Sequence, residues 1–365
     1  MADLETEPAV PVDYWYPLPD GRIECTLCPR LCRLRPGQRG LCFVRRRGDK
    51  GMELTGYGRS AGFCIDPIEK KPLFHFLPGT PVLSFGTAGC NLACSFCQNH
   101  DVTRSREVAR MSARADPATI ARAANALGAA SVAFTYNDPV IFLEYAVDTA
   151  FACREAGVRS VAVTAGYISA APRERFFAPM DAANVDLKAF TEGFYAKRAS
   201  GSLGPVLDTL RYLVHETQVW TELTTLLIPG ANDSPGEIDR LTAWVSAELG
   251  PDIPVHFTAF HPDYRMLETP ATPPATLQLA RHIGLANGLR HVYIGNVSDP
   301  ARQTTLCTGC GTRLIGRNVY RLTQYVLDAD GKCLTCGTQL AGRFSSHPGN
   351  WGNRRQPVEI EQFAA

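Results

Sequence analysis

From Pro81 onward, short runs of β-branched and aromatic residues alternate with stretches of helical periodicity. Seven runs read as strands, near residues 82–85, 131–136, 160–164, 184–188, 219–228, 255–260 and 292–295. The segments between them carry helix punctuation. Asp116 and Pro117 stand where a helix would be capped and begun, with Gly128 at its stop, and a second helix is expected over 139–155 with Gly157 beyond it. Repeated βα units predict a parallel sheet with right-handed crossovers. Without eight clear units, the pattern predicts an α/β fold built as a partial TIM-type (β/α)6 barrel, with active-site residues at the C-terminal ends of the strands.

Composition narrows this picture. The chain has 365 residues and is 45% hydrophobic, enough for one large domain and small satellites. Thirty-seven basic against 36 acidic residues leave a formal charge of +1, so no global field draws the chain to nucleic acid or to an anionic membrane. The basic run 45–47 reads as a solvated loop. No 18-residue apolar stretch is present, and residues 1–10 are acidic without an export pattern, so a cytoplasmic location is expected. The expected organisation is a Cys-rich arm over 1–60, a core domain over 61–300, a small metal module over 301–345 and a loose tail over 346–365.

Of 13 cysteines, 11 fall into three compact groups. Cys153 reads as an apolar filler, and Cys64 has no assigned role. Cys90, Cys94 and Cys97 form CxxxCxxC directly after Gly86-Thr87-Ala88-Gly89, with Phe96 before the last cysteine. Three thiolates on one loop can hold three irons of a 4Fe-4S cubane and leave the fourth open, whereas a closed zinc site wants four ligands. Cys25, Cys28, Cys32 and Cys42 are interleaved with Pro29, Pro36, Gly37 and Gly40, turn formers that let the backbone wrap a metal. Zinc or a second 4Fe-4S cluster would suit them equally, and spacing does not choose. Cys307 and Cys310, then Cys333 and Cys336, form two CxxCG knuckles separated by 22 residues, a zinc-ribbon pattern.

The loop at Cys90 to Cys97 resembles the hallmark of the radical SAM superfamily, in which the amino and carboxylate groups of S-adenosylmethionine chelate the open iron. Carboxylates, a lysine and exposed backbone are then expected at the following strand ends. Asn137 and Asp138 supply acceptors at a position resembling the element that receives the methionyl amino group, and Asp138 before Pro139 also suits a helix cap; both roles can coexist. Thr164 ends the next strand. Asp186 and Lys188 lie two apart and share a face, with Lys188 placed for the methionyl carboxylate and Asp186 to orient it or to contact a ribose. His261 is the ligand-contact candidate of the sixth strand, with His256 packed inside. Gly295 and Asn296 would set backbone against adenine.

Over nearly its whole length the chain resembles the radical SAM enzyme of the AmmeMemoRadiSam system, a relative of the pyruvate formate-lyase activating enzymes. The resemblance rests on Cys25, Cys28, Pro29, Arg30 and Cys32, on the run Asp66-Pro67-Ile68-Glu69-Lys70-Lys71-Pro72-Leu73 leading to His75 and Phe76, on 89–99, 186–188 and 228–234, and on the C-terminal knuckles. Glu69 and Lys70 are expected to pin the N-terminal arm. Asp138 stands where the family usually carries glutamate. The resemblance implies a cluster reduced by ferredoxin or flavodoxin, homolysis of S-adenosylmethionine, and hydrogen abstraction from an unidentified substrate by a 5'-deoxyadenosyl radical. It also implies Memo-like and AMMECR-like protein partners. Competing readings are an activase of a glycyl-radical enzyme, a peptide or small-molecule modifier, and a noncatalytic metal-binding adaptor with zinc at all three groups.

Overall fold

A computed structural model describes residues 9–104 and 113–364. The first eight residues, read above for an export signal, lie outside the described residues. The core is a ten-stranded sheet. Its main strands are β1 (Arg59–Pro67), β2 (Pro81–Gly86), β3 (Ser131–Phe134), β4 (Arg159–Thr164), β5 (Ala182–Asp186), β6 (Trp220–Leu227), β7 (Val255–Ala259) and β8 (Val292–Gly295). From β2 to β8 each strand pairs in parallel with the next, so all seven predicted strands form, in sequence order. The parallel set thus holds seven strands where the (β/α)6 expectation had six. On its other edge β2 meets β1 in antiparallel pairing.

Helices α1 (Pro117–Ala126), α2 (Leu143–Glu155), α3 (Ala170–Phe177), α4 (Gly204–Glu216), α5 (Pro235–Trp244) and α6 (Pro274–Ala286) form the crossovers. Local chemistry sets their ends. Asp116 accepts a hydrogen bond from Thr119 N at 2.7 Å, Pro117 opens α1, and Gly128 follows it at φ +65°. Phe85, Phe134, Phe142 and Tyr145 pack as a buried aromatic group between β2, β3 and the start of α2. Each such side chain contributes about 1.5–3 kcal/mol by leaving water. Among the described residues no helix is long and apolar enough to cross a membrane.

Two findings depart from the sequence reading. Residues 346–364 are packed rather than loose. Gly349 N and Trp351 N donate to Pro78 O and Gly79 O, β11 (Gln356–Pro357) pairs with β1 at Cys64 and Ile65, and Ile360 is fully buried. Isolated anchors at irregular spacing hold the segment, which gives it no periodic signature. The pairing also places Arg355 Nε 3.3 Å from the Cys64 sulfur.

The run from Asp66 to Phe76 is the second departure, because it engages the C-terminal module rather than the N-terminal arm. Asp66 is fully buried between Lys70 and Lys71, each at 2.8 Å. Glu69 accepts from Gly79 N at 2.8 Å and faces Arg317, 3.8 Å away. Arg317 lies on β9 (Arg313–Asn318), which pairs with β10 (Arg321–Tyr325). Its guanidinium donates to Phe74 O at 2.6 Å and stacks 4.1 Å from the Phe74 ring. From the sheet side, the buried Glu222 carboxylate on β6 accepts from Phe74 N, His75 N and Trp220 Nε1 at 3.0, 2.7 and 2.9 Å, and lies 2.7 Å from His256 Nε2. The run is thus a plug set inside the sheet and sealed from outside by the module.

Candidate active site

The C-terminal ends of the parallel strands surround a cavity of about 300 Å³. Cys90, Cys94 and Cys97 line it, and so do Asn137, Asp138, Thr164, Asp186 and Lys188. The cysteine loop is positioned from below. Asn137 Oδ1 accepts from Thr87 N at 3.1 Å, and its Nδ2 donates to Thr87 Oγ1 and Gly89 O at 3.1 and 2.9 Å. The Asn137 amide therefore shapes the strand-to-loop crossing, and this is the contact the structure gives it. Asn91, just after Cys90, donates from Nδ2 to Tyr167 O at 2.9 Å. Farther along, Ala93 N and Ser95 N donate to Ala199 O and Arg198 O, so the loop is held along its length.

Asp138 takes the capping role expected of it and keeps a second oxygen free. Oδ1 accepts from Val140 N at 3.2 Å, capping the turn Pro139–Phe142, and from Thr164 Oγ1 at 2.8 Å. Oδ2 is buried and unpartnered. Burial pushes the carboxyl up to about 6, and the bonds from Thr164 and Val140 pull it back only in part. Lys188 Nζ lies 2.9 Å from Asp186 Oδ2. Burial alone would weaken the Lys188 ammonium, but the neighbouring Asp186 and Cys94 charges outweigh it and raise its pKa. A fixed cation and a free carboxylate oxygen therefore face one cavity beside three thiols. Burial pushes the Cys90 and Cys94 thiols up to about 12 and 11, so thiolates there require a cationic partner such as iron. Their donor set, with the orphaned Asp138 oxygen, fits a cluster that carries an amino-acid ligand on its open iron.

His261 does not join this site. The strand ends at Ala259, Phe260 N is tied to Thr272 Oγ1 at 2.9 Å, and the chain turns outward, leaving His261 exposed and outside the cavity lining. His256 is buried against Glu222, as its position within the strand implied. Pro72 from the plug, Thr224 and Thr258 also line the cavity and were not singled out by the sequence reading. Period-two counting marks the two threonines: Thr224 is level with Asp186 in the sheet register, and Thr258 is level with Leu226. Asn296 lines it too, at φ +57°, with Nδ2 donating to Ala259 O.

In the C-terminal module the sulfurs of Cys307, Cys310, Cys333 and Cys336 all lie within 4.8 Å of one another, a group that could hold a metal ion. Gly309 N and Thr335 N point at Cys307 and Cys333 at 3.4 Å, so the two knuckles repeat one geometry. Gly311 and Gly337, at φ +72° and +75°, close the two turns, their N–H groups donating to Cys307 O and Cys333 O at 3.0 and 2.8 Å.

Residues 85–242 match the model of the radical SAM superfamily. An uncharacterized protein of Methanocaldococcus jannaschii is 36% identical over 328 residues, covering 90% of this chain and 97% of the other. Residues 85–242 thus form a radical SAM superfamily domain, which marks the chain as an enzyme and implies a 4Fe-4S cluster and S-adenosylmethionine. Among solved structures it is similar to a radical SAM methyltransferase from Sphaerobacter thermophilus, at 16% identity and a TM-score of 0.48, covering 80% of this chain and 78% of that one. It is also similar to a domain of a pyruvate-formate lyase-activating enzyme from Bacteroides vulgatus, at 18% identity and a TM-score of 0.41, covering 46% of this chain and 99% of that domain.

Proposed function

We propose that this enzyme cleaves S-adenosylmethionine reductively at a 4Fe-4S cluster held by Cys90, Cys94 and Cys97, and uses the nucleoside fragment to take a hydrogen atom from a bound substrate. The observation that carries this reading is the convergence of three cysteines, the unpartnered Asp138 Oδ2 and the charged Lys188 on one cavity. When bound, the cluster and S-adenosylmethionine supply one-electron cleavage of a carbon–sulfur bond. The chain's own residues do the rest. Asp138 Oδ2 would accept from the methionyl amino group, with Thr164 Oγ1 and Val140 N fixing the carboxylate through its other oxygen. Lys188, oriented by Asp186, pairs with the methionyl carboxylate. Asn137 holds the loop that presents the cysteines.

A second cavity of about 250 Å³ shares Pro72, Thr258 and Asn296 with the first and is lined by Glu69, Ser298 and Gln303, which supports a polar substrate beside the cofactor. For the C-terminal module we assign structural zinc. A tetrahedral ion with metal–sulfur bonds of about 2.3 Å holds its sulfurs about 3.8 Å apart. Cys307 and Cys336 are 3.5 Å apart and Cys310 and Cys333 are 3.8 Å apart. The resemblance across the cysteine groups and the plug run supports an AmmeMemoRadiSam-type enzyme, with a ferredoxin or flavodoxin donor and Memo-like and AMMECR-like partners. Formation of 5'-deoxyadenosine by anaerobically reconstituted, reduced protein, absent from Cys97→Ser, is the test. No product from a parent protein with a verified 4Fe-4S cluster would refute the catalytic reading.

A further inference from the structure

The four N-terminal cysteines lie close behind the active-site loop. Cys25, Cys28, Cys32 and Cys42 line one small cavity together with Arg45 and Asn91, and Asn91 directly follows Cys90. Gly89, at φ +89°, is pressed so closely on the Cys42 carbonyl that an added Cβ would overlap it. Arg30 Nε donates to Asn91 O at 2.7 Å and its Nη2 to Ser200 O, fastening the arm to the loop a second time. The two cysteine groups are therefore neighbours through backbone contact.

Arg45 points to what the cavity holds. Its guanidinium is fully buried, with Nε on Ile141 O at 3.1 Å and Nη2 on Glu144 Oε2 at 2.5 Å, while Nη1 has no partner. A buried cationic N–H left unpaired is costly, so it calls for an anionic acceptor in that cavity. Four thiolates around a metal centre supply one. Among the described residues, the C-terminal four are the group whose sulfurs meet the compactness of a single ion. A cubane spreads its ligands wider, since each thiolate binds a different iron. The cysteine-bearing stretch of the arm is also locally basic: residues 20–50 hold nine basic against three acidic side chains, and Arg35 and Lys50 are exposed, while Arg22, Arg33, Arg45 and Arg46 are ion-paired.

We propose that Cys25, Cys28, Cys32 and Cys42 bind a second 4Fe-4S cluster, which relays electrons from an acidic one-electron carrier protein to the cluster at Cys90, Cys94 and Cys97. This rests on the radical SAM reading above. One electron leaves the carrier, reduces the arm cluster from the 2+ to the 1+ state, and moves on to the active-site cluster, which restores the arm cluster. No bond forms or breaks at the arm. The basic surface would attract the carrier by complementary charge, so electron delivery falls with ionic strength.

The test is iron, sulfide and zinc content of the full chain after anaerobic reconstitution, joined to electron paramagnetic resonance of the reduced protein with and without S-adenosylmethionine. About eight irons per chain are expected, from two cubanes, together with one signal that responds to S-adenosylmethionine and one that does not. The Cys28→Ser/Cys42→Ser double variant should hold about four irons. It should keep 5'-deoxyadenosine formation with dithionite but lose at least an order of magnitude of the rate with reduced flavodoxin. Zinc in the arm of the parent protein, or an unchanged flavodoxin-driven rate in the variant, would overturn the proposal. If the double variant does not fold, the parent's metal content and spectra decide. A parent with eight irons and no 5'-deoxyadenosine would sink the catalytic reading and leave the arm cluster standing.

Discussion

The unpartnered oxygen of Asp138 makes a quantitative prediction. Replacing Asp138 by asparagine keeps an acceptor for Val140 N and Thr164 Oγ1, so the cap and the loop should survive; losing a cap altogether costs about 1 kcal/mol. What changes is the atom now free, Oδ2, which becomes an amide N–H₂ aimed at the cavity. If Oδ2 accepts from the methionyl amino group, the substitution removes a hydrogen bond to a charged carboxylate and sets donor against donor. Such a bond is worth about 1.5–3 kcal/mol, so the dissociation constant for S-adenosylmethionine should rise about 10- to 150-fold. Equilibrium binding to the reconstituted, oxidised protein measures this without turnover. Cluster absorbance and thermal midpoint should match the parent. Parental affinity in an Asp138→Asn protein with an intact cluster would refute the assignment, and reduced affinity with a disturbed cluster would reassign Asp138 to shaping the loop.

Other positions give independent checks. Gly89→Ala should lower iron incorporation into the cluster loop with little change in far-ultraviolet circular dichroism, because the new methyl overlaps Cys42 and the residue holds φ +89°; normal iron content would mean the arm yields freely. Cys97→Ser should abolish 5'-deoxyadenosine formation while retaining the metal of the C-terminal module, and Cys310→Ser should release that metal and lower the thermal midpoint; equal loss of cleavage with an intact cluster in both would contradict this division. His291 should make the protein acid-sensitive: burial lowers its pKa from 6.5 to about 4, so between those values the unfolded chain binds the proton the folded one refuses. Stability present above pH 6.5 should fall by roughly 3 kcal/mol as the pH drops to 4. Melts followed by tryptophan fluorescence should show it, and His291→Leu should make the fall shallower, with the buried His75 beside it keeping a share of the same acid sensitivity.

The strands were legible because each is a short apolar run between turn residues, and a parallel sheet with sequential neighbours preserves that order in space. The cysteine loop was legible because its three cysteines are local in the chain. Asp138 was legible as a cap because it stands directly before Pro139, and the cap uses one of its two oxygens. His261 was misplaced for a reason invisible in the pattern: Thr272, far along the chain, ties the end of the strand and sends the next residues outward. The plug was equally illegible. Its meaning rests on Glu222, a lone carboxylate within β6, and on Arg317, which reaches Phe74 across 243 positions. Side chains that act only on distant backbone leave no local period to read.

That plug also links the two ends of the molecule. Pro72 lines the cofactor cavity, while two residues on, Phe74 is clamped between Glu222 of the sheet and Arg317 of the metal module. Asn184 Nδ2 donates to Pro72 O at 2.8 Å, so the plug's tip is registered against β5, the strand that ends in Asp186. A module seated by buried charge has a sharply defined position, since a displaced Arg317 would leave Glu69 and itself unpaired in a dry interior. The C-terminal cysteine group is therefore joined to the cavity through the plug, whereas the N-terminal arm touches the loop of Cys90 to Cys97 directly. The two satellites share a residue type and differ in place: the distal one braces the plug whose Pro72 lines the cavity, and the proximal one packs behind Cys90.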